Sequence, residues 1–570
     1  MALHLESCLF SFKPQIARTK AQLSQSFTRH KSDSFPNSNK WNIAQEERPR
    51  RLFIKTGDLR ISHSEKLEAV KDEFRNVCEN PCKSLYMIDA MQRLNIDYHF
   101  QEEIEAFLRK QYINSNIIAG DYAHADIHQI ALRFRLLRQQ GYFVPTEVFD
   151  KFTYKKGKFN PKLGENMKGM IDLYEASQLS ITGEDILDEA EVFSGQVLKE
   201  KMDFCIDNNE SKFVKRTLEH PFHKSLPMFT ARNFFGDYHG TNTWLSSLKE
   251  VAKIDFSLLQ SLHHGEINQF SKWWTGLGLA NELKYARNQP LKWYIWSLAC
   301  LTDPTLSEER VELTKSISLI YILDDIYDVY GTIHELSLFT EAVSRWDITA
   351  TEQLPDYMKT SFRVLYNVTN EISSKVYQKH GWNPIHSLRK TWESLCKAFL
   401  VEAKWFASGK LPSAEEYLKN GIISCGVHIV IVHSFFLLGH GLTKQNVDII
   451  DTFPPIVSSP ATILRLWDDL GNAQDENQQG NDGSYVNCLL MDDPEFTMRR
   501  AREKVMRKIC DEWKRLNQEC LFDGHFHTAF TKVSLNLARM VPLMYSYDDQ
   551  HSLPGLEEQV KSLLYDNVLL

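Results

Sequence analysis

The amino-acid sequence predicts an all-α protein, and three observations support that fold class. Apolar side chains recur every three or four residues over long stretches, which is typical of helices with one buried face. Sustained alternation of apolar and polar residues, which marks half-buried strands, is scarce. Ser62 and Glu65 are spaced as a capping box and predict a helix start. The apolar stripes are Leu67, Val70, Phe74 and Val77; Ile104, Phe107, Leu108 and Tyr112; and Ile130, Phe134 and Leu137.

The composition excludes several classes of protein. The 570 residues include 66 basic and 74 acidic side chains, and the net charge of −8 argues against nucleic-acid binding through bulk charge. The 10 cysteines form no CxxC pair, and we interpret them as reduced thiols of an intracellular protein. The most apolar segment, residues 427–438, contains two histidines and is too short to span a membrane. We interpret it as a buried helix and expect no membrane span.

The N-terminal segment differs from the rest of the chain. Before Asp33 the only acid is Glu6, whereas basic residues and Ser, Thr and Gln are frequent. Such a composition is typical of an organelle transit peptide, which we assign to residues 1–45, with a disordered tail as the alternative. A transit peptide favours a plastid location, and the alternative is cytoplasmic.

The remaining chain is interpreted as two helical domains, residues 46–262 and 263–570. The boundary is placed near residues 255–270, in a short hinge without a Pro/Gly linker. All the candidate chemistry lies in the second half. Domains joined this closely are expected to pack against each other, and we expect a monomer.

Three carboxylates cluster in a strongly apolar run. Asp324, Asp325 and Asp328 follow residues 317–323, which are apolar except for Ser318, and precede Gly331, a predicted helix stop. In a helix, Asp324 and Asp328 lie one turn apart on the same face, and their charges repel more strongly in apolar surroundings. A divalent cation relieves this repulsion, and Mg²⁺ favours oxygen ligands completed by substrate phosphates. The alternative is a solvated acidic helix end.

A second set of oxygen ligands follows downstream. Asp468, Asn472 and Glu476 recur every four residues on one helical stripe, and Arg465 lies on the same side. Two acids and an amide oxygen suit a second Mg²⁺ site, and the arginine could bind an anion through forked hydrogen bonds. Such spacing also occurs on solvated helices. The first acidic segment favours the interpretation as a Mg²⁺ site, because two oxygen-rich helices that face each other could bind several Mg²⁺ ions around one diphosphate.

Arg287 is a third candidate for binding a diphosphate. It precedes Pro290 and is therefore predicted in a loop or at a helix start. Together, Mg²⁺ and arginine would stabilise a diphosphate that leaves as a C–O bond breaks. For Arg287 considered alone, a surface arginine is the simpler interpretation.

An allylic substrate would leave a delocalised carbocation at such a site. That cation needs a dry pocket with aromatic faces rather than bases. The sequence offers many aromatic side chains, most of which we expect in the core: Trp273, Trp274, Trp293, Trp296, Tyr321, Tyr327, Phe435, Phe436, Tyr545 and Tyr547.

These motifs resemble those of the plant class I terpene synthases, and the resemblance runs from about residue 50 to the end of the chain. It rests on the aspartate-rich motif at 324–328 and on the second motif at Asp468, Asn472 and Glu476, preceded by Arg465. Two further segments, residues 132–142 and 173–177, look like signatures of the N-terminal domain of that family.

The resemblance implies an N-terminal α-barrel-like domain and a C-terminal α-bundle that holds the site. It implies three Mg²⁺ ions, or Mn²⁺, and a prenyl diphosphate substrate. Asp324 and Asp328 would ligate two of the ions with support from Asp325, and the second motif would ligate the third. The resemblance places Trp296 in an aromatic wall and residues 424–426 at a helix break. The implied substrate-binding residues are Arg287, Asp324, Asp328, Arg465, Asp468, Trp296, Ser424, Gly426 and Tyr545.

The departures from the family pattern suggest the product. The usual Arg-Asp-Arg is Arg287-Asn288-Gln289 here, so one cationic diphosphate contact is missing. The usual hydroxyl ligand is Asn472, which still offers an oxygen. The paired arginines at 50 and 51 lack the tryptophan that is typical of cyclising monoterpene synthases. We therefore expect geranyl or farnesyl diphosphate to be ionised and water to attack C3, which gives linalool or nerolidol.

Several other functions are less consistent with the sequence. A chain-elongating prenyl transferase would carry two aspartate-rich motifs in a shorter chain, and a protonation-initiated cyclase would carry a DxDD cluster in the N-terminal half. Nucleotide phosphotransfer would need a P-loop lysine after Gly276 and Gly278. A non-catalytic helical scaffold gives no reason for two acidic stripes. A cyclising mono- or sesquiterpene synthase stays open.

Overall fold

The computed structural model describes residues 50–117, 125–154, 157–202, 208–237, 243–283, 286–472, 484–493, 495–522, 524–545 and 554–566. Within these ranges the protein is all-α, as predicted, and contains no β-strand. The predicted transit peptide at residues 1–45 lies outside the described residues.

The described residues of the N-terminal half form nine long or medium helices. They are α1 (Arg50–Val77), α2 (Pro81–Arg93), α3 (Gln101–Ile117), α4 (Ile127–Gln139), α5 (Met167–Ser177), α6 (Asp185–Met202), α7 (Asn208–Glu219), α8 (Pro227–Asp237) and α9 (Thr243–Leu277).

The C-terminal half continues with α10 to α23 in the described residues. They are α10 (Leu279–Glu282), α11 (Pro290–Cys300), α12 (Ser307–Asp325), α13 (Ile333–Arg345), α14 (Asp356–His380), α15 (Ile385–Ser408), α16 (Ala414–Ser424), α17 (Val427–Leu438), α18 (Lys444–Ile450), α19 (Pro455–Asn472), α20 (Tyr485–Asp492), α21 (Met498–Phe522), α22 (Thr528–Tyr545) and α23 (Pro554–Leu564).

The first helix begins earlier than the sequence predicts. It starts at Arg50 and passes through Ser62, so the predicted capping box at Ser62 and Glu65 is wrong. A cap residue needs a non-helical backbone, whereas Ser62 has helical residues on both sides. The apolar stripe that follows is confirmed, because Val70 and Phe74 are buried.

Two hydrophobic cores organise the helices. The N-terminal core is built from α1 to α8 and the first half of α9. The C-terminal core is built from α11 to α23 with residues of α8, the second half of α9 and α10, and α19 packs there against α21 and α22. Helix α12 contacts α9, α11, α14 and α17, and every residue of it from Glu309 to Asp325 is buried. The polar end of α12 is therefore enclosed by other helices.

Helix α9 contributes to both cores. Trp244 and Leu248 belong to the N-terminal core, and Phe270 and Trp274 belong to the C-terminal core. The chain at 255–270, which was expected to be a hinge, is helical throughout. The predicted boundary at 262/263 falls inside this continuous helix and stays a prediction.

A buried hydrogen-bond network joins the two halves of the chain. Asn517 on α21 donates to the carbonyls of Gln178 and Ser180, each at 3.0 Å. His223 Nε2 lies 2.8 Å from Asn517 Oδ1 and donates to it, and Arg539 Nε donates to the carbonyl of His223 at 2.6 Å. Since all these groups lie away from water, the network fixes how the helices of the two halves meet.

The buried His223 makes folding sensitive to acid. Burial, with the charge of Arg539, lowers the pKa of His223 to about 3 from 6.5. Between pH 6.5 and pH 3 the imidazole of His223 is protonated in the unfolded chain but neutral in the folded chain. The folding stability present above pH 6.5 is therefore lost as the pH falls toward 3. We expect a loss of about 2 kcal/mol at pH 5 from this residue. Urea unfolding at pH 7 and pH 5 measures it.

A glutamine variant isolates that contribution. His223→Gln keeps a side-chain donor but cannot titrate, so its stability should fall less between pH 7 and pH 5. The exposed His334→Gln serves as the matched control. Equal pH dependence in all three proteins would show that His223 does not set the acid sensitivity.

The apolar segment Ala414–Leu438 is longer than the sequence analysis supposed. By length and composition it could cross a membrane. However, 89% of its most apolar stretch is buried inside the fold, where α16 and α17 pack in the C-terminal core. Its apolar composition is therefore explained by the core, and the prediction of a buried helix at 427–438 is confirmed.

Candidate active site

The first acidic segment lies where α12 ends. Asp324 and Asp325 are 3% and 5% exposed, and Asp328 is half-buried in the π-helical turn Ile326–Tyr330. The expectation of one α-helix through all three acids is therefore wrong, because the last turn widens to π geometry, as is frequent at functional sites. Gly331 ends the helical run as predicted.

Burial and repulsion dominate the electrostatics of this segment. Burial raises the pKa of Asp325 to about 6, and the charge of Asp324 adds to that shift. Desolvation and the charges of Asp324 and Glu402 raise the pKa of Asp328 well above its ordinary value. Glu402 lies on α15, and burial raises its pKa too. Four carboxylates therefore converge here, and their repulsion favours a bound cation.

Arg287 faces this cluster from the loop before α11. Its backbone N–H donates to Asp325 Oδ2 at 2.7 Å, and its Nε donates to Asp325 Oδ1 at 2.7 Å. Its Nη2 pairs with Asp324 Oδ2, and its guanidinium lies 5.0 Å from the ring centroid of Tyr321. Despite burial, the two carboxylates hold the pKa of Arg287 above its ordinary value. The predicted loop is confirmed, and the diphosphate contact stays a prediction.

The second acidic segment lies on α19. Arg465 and Asp468 are 2% and 1% exposed, and Arg465 Nη1 lies 3.5 Å from Asp468 Oδ2. Arg465 Nη2 donates to Ser424 Oγ at 3.1 Å, and its Nε donates to the carbonyl of Gly421 at 3.4 Å. A Cβ on Gly421 would lie 3.0 Å from that Nε. The close approach of α16 thus holds the guanidinium in one orientation.

Two predicted ligands of the second segment cannot be placed. Asn472 is the last residue of α19, but its side chain and all of Glu476 lie outside the described residues. Their role as metal ligands therefore stays a prediction.

Asp469, which the spacing did not single out, anchors α19. Tyr417 Oη donates to its Oδ1 at 2.9 Å, and the backbone N–H of Tyr485 donates to its Oδ2 at 3.0 Å. Burial raises its pKa to about 7, and the charge of Asp468 adds to the shift. Because both oxygens accept hydrogen bonds, we assign Asp469 a structural role.

The charges of the two segments act on each other. Burial raises the pKa of Asp324, and Arg465 opposes that shift from α19. Tyr321 on α12 has both Asp324 and Asp468 among its charged neighbours, and burial raises its pKa to about 12. The structure therefore brings the described parts of both acidic segments together across the C-terminal bundle.

The helix pair α16 and α17 is interrupted beside this site. Gly426 has a φ of +73°, and a Cβ there would lie 2.7 Å from Ile320 Cγ2 on α12. Both the left-handed backbone and the close approach require glycine. Ser424 Oγ donates to Glu402 Oε1 at 2.6 Å and accepts from Arg465. The predicted helix break is confirmed, and it connects Arg465 to the carboxylate cluster.

Aromatic side chains lie beneath the carboxylates. Trp296 on α11 donates from Nε1 to Tyr321 Oη at 3.1 Å. Its ring centroid is 6.4 Å from that of Tyr545 at the end of α22, and both residues are buried. An aromatic wall thus leads from the acidic cluster into the apolar core, which suits a dry site for a cation. Contact of these rings with substrate stays a prediction.

Sequence reasoning missed two charged residues of the site. Glu402 has no acidic neighbour at ligand spacing that could have marked it. Lys292 lies in the first turn of α11, and its charged neighbours are Arg287 and Asp468. Burial, with the charge of Arg287, lowers the pKa of Lys292 to about 7. The available signal was its spacing of four from Trp296, which places both on one helix face.

The described donors fit a divalent metal. Asp324, Asp328, Glu402 and Asp468 offer carboxylate oxygens, the ligands that Mg²⁺ and Mn²⁺ prefer. Burial and then the neighbouring negative charges raise the pKa of Asp328, and a cation would neutralise those charges. Asp324 uses only Oδ2 to pair with Arg287, so Oδ1 stays available.

The chain matches two family models. Residues 29–220 match the terpene synthase N-terminal domain, and residues 275–515 match the metal-binding domain of the terpene synthase family. "Probable terpene synthase 13" of Ricinus communis is 56% identical over 91% of this chain and 90% of its own length. An (E)-nerolidol synthase of Cannabis sativa is 49% identical, covering 99% of this chain and 100% of its own.

Further relatives differ in their products. The chloroplastic S-(+)-linalool synthase of Arabidopsis thaliana is 46% identical over 91% of both chains. The chloroplastic tricyclene synthase Oc15 of Antirrhinum majus is 47% identical over 85% of this chain and 84% of its own.

A solved structure shares the fold. Isoprene synthase from grey poplar leaves, in complex with three Mg²⁺ ions and dimethylallyl-S-thiolodiphosphate, has a TM-score of 0.83 and 33% identity, covering 90% of this chain and 99% of its own. The predicted two-domain all-α architecture is thereby confirmed, with a divalent metal as cofactor. The chain belongs to the terpene synthase family and is a class I terpene synthase.

Proposed function

We propose that this enzyme ionises geranyl or farnesyl diphosphate and that water attacks the allylic cation at C3, which gives linalool from the C10 and nerolidol from the C15 substrate. The proposal rests on the two buried acidic segments that meet with Arg287 and Arg465 above an aromatic wall. Similarity to a nerolidol synthase over that protein's full length, and to a linalool synthase, supports the products.

Three Mg²⁺ ions, or Mn²⁺, are the proposed cofactors. The three ions in the isoprene synthase complex support their number. When bound, they would neutralise the diphosphate and stabilise the charge that develops on it as the C–O bond breaks. The proposed ligands are the side-chain oxygens of Asp324 and Asp328 in the first segment and of Asp468, Asn472 and Glu476 in the second. Glu402, which shares the charge cluster of Asp328, is added to this set. Asp325 supports the metal site through Arg287, which donates to both of its oxygens.

The residues of the chain prepare the site for bond cleavage. Arg465 is already oriented by Gly421, Ser424 and Asp468, so it can donate to an anion with little loss of side-chain freedom. In the proposed step the C1–O bond breaks, and both its electrons leave with the diphosphate. Water oxygen then bonds to C3 and releases a proton to solvent or to the diphosphate. The buried ring of Trp296 would face the cation and limit the access of further water.

A cyclising synthase is the second candidate. The tricyclene synthase relative supports it, since its identity equals that of the acyclic relatives within a few per cent. Against it stand two features of the sequence: the missing tryptophan after Arg50 and Arg51, and Gln289 at a position where a second diphosphate-binding arginine is expected. We therefore favour an acyclic alcohol.

The location of the protein is proposed from its relatives and its composition. The linalool and tricyclene synthases carry chloroplastic names, and residues 1–45 are poor in acids. A plastid location would supply mainly the C10 substrate, and a cytoplasmic one the C15.

A product assay tests the proposed function. Purified protein with Mg²⁺ would receive the C10, C15 and C20 prenyl diphosphates separately, and chiral gas chromatography–mass spectrometry would identify the volatiles. We expect linalool and nerolidol as nearly sole products. Abundant cyclic products would contradict the acyclic assignment and favour the second candidate.

A further inference from the structure

Lys292 occupies the face of α11 that borders the acidic site. Pro290 begins the helix, which places Lys292 in its first turn and one turn away from Trp296 on the same face. Trp296 reaches Tyr321, and Tyr321 lies under the guanidinium of Arg287. The helical spacing therefore places Lys292 on the face of α11 that carries Trp296, near Arg287.

The charges around Lys292 come from both sides of the site. Arg287 lies in the loop of the same segment, and Asp468 lies on α19. Among the residues that the structure describes, none forms a hydrogen bond or an ion pair with the ammonium of Lys292. A half-buried cation next to an arginine is unfavourable unless an anion offsets the repulsion.

The two arginines of the site are already engaged. Arg287 contacts both Asp324 and Asp325, and Arg465 contacts Ser424 and Asp468. An incoming diphosphate must share these guanidinium groups with the carboxylates that hold them. The ammonium of Lys292 can bind such an anion without breaking a contact with a described residue.

We propose that Lys292 binds the diphosphate group of the substrate and adds positive charge to that of Arg287 and Arg465, at the N-terminal end of α11 where Gln289 carries none. This proposal deepens the proposed function and rests on it for the identity of the substrate. Lysine suits the role because a compact ammonium binds phosphate oxygens as a point charge, without the geometric demands of a guanidinium.

Inorganic pyrophosphate with Mg²⁺ provides a probe that does not require turnover. We expect Lys292→Met to weaken pyrophosphate binding, measured by isothermal titration calorimetry, by about 10- to 100-fold, the effect of removing one charged hydrogen bond. Lys292→Arg keeps the positive charge, so its loss of pyrophosphate affinity, expressed as the logarithm of Kd, should be less than about a third of the loss in Lys292→Met. Lys444→Met removes the same charge from an exposed site on α18 and should bind as the wild type does.

Turnover provides the second readout. With geranyl diphosphate, Lys292→Met should lower kcat/KM by a similar factor, because a contact to the leaving group acts in the transition state as well. Circular dichroism would verify the fold of each variant. Methionine has nearly the length of lysine and suits the half-buried stem.

The outcomes separate the two proposals. If Lys292→Met binds pyrophosphate as tightly as the wild type and Lys444→Met do, the proposed role of Lys292 is overturned. This conclusion holds whatever product the enzyme makes. A wild-type protein that binds pyrophosphate through Lys292 but converts no prenyl diphosphate would overturn the proposed function and leave the anion-binding role of Lys292 standing.

Discussion

Replacing Asp328 with alanine should lower the turnover of geranyl diphosphate at least about a thousandfold. The residue is half-buried in the π-helical turn, where burial and then the charges of Asp324 and Glu402 raise its pKa well above the ordinary value. A carboxylate kept in such a place costs folding free energy, so its removal should leave the metal-free fold as stable as before, or more stable. A bound cation would explain why the chain has a carboxylate at this position. Steady-state kinetics and thermal melts followed by circular dichroism measure the two effects.

Asp448→Ala is the matched control for this variant. Its carboxylate lies on the exposed surface of α18, where it pairs with Lys444, and its loss should change turnover little. Full activity in Asp328→Ala would contradict the metal-clamp proposal. Loss of activity together with loss of helical signal would instead indicate a structural role for Asp328.

Arg465→Met should destabilise the C-terminal domain by about 3–5 kcal/mol, because it leaves buried carboxylates without their cation. Arg465 is 2% exposed and has Asp468, Asp469 and Glu402 as charged neighbours. The same change should also reduce turnover strongly, since the proposed diphosphate contact is lost. Urea unfolding of the metal-free protein, compared with kinetics at saturating Mg²⁺, separates the two effects.

Two further variants show which property of Arg465 causes the effects of Arg465→Met. Arg465→Lys keeps the charge but not the forked geometry, so we expect a smaller loss of stability than in Arg465→Met and a large loss of turnover. Arg345→Met breaks an exposed pair with Glu341 on α13 and should cost less than about 1 kcal/mol. If Arg465→Met unfolds at the same urea concentration as Arg345→Met, the guanidinium does not stabilise the buried cluster.

Local signals predicted the described parts of the two acidic segments. Asp324 and Asp325 stand out because charged residues inside an apolar run have few structural explanations, and both are buried at the end of α12. Arg465 and Asp468 stand out because their spacing gives one helical stripe, and they are in contact. In both cases neighbours in sequence are also neighbours in space, so the pattern can be recognised without knowing the fold.

Signals that depend on a helix terminus were less reliable. The capping box at Ser62 is the right pair of residues, yet α1 already begins at Arg50. Whether a Ser caps a helix depends on the residues before it, which the two-residue pattern does not include. The turn to π geometry at Ile326–Tyr330 was missed for a related reason, because the packing around a helix end decides its last turn.

The sequence by itself determined the helical class, the described parts of the two acidic segments and the loop arginine, because each is encoded by residues within one or two helical turns. The helix break at 424–426 was implied by the resemblance to the terpene synthases. Tertiary structure alone decided which groups share one site. Glu402 on α15 joins the cluster of Asp328, and Lys292 on α11 meets the charge of Asp468 on α19. These groups come together through the packing of helices that are far apart in the chain, and electrostatic coupling depends on distance in space rather than on separation in sequence.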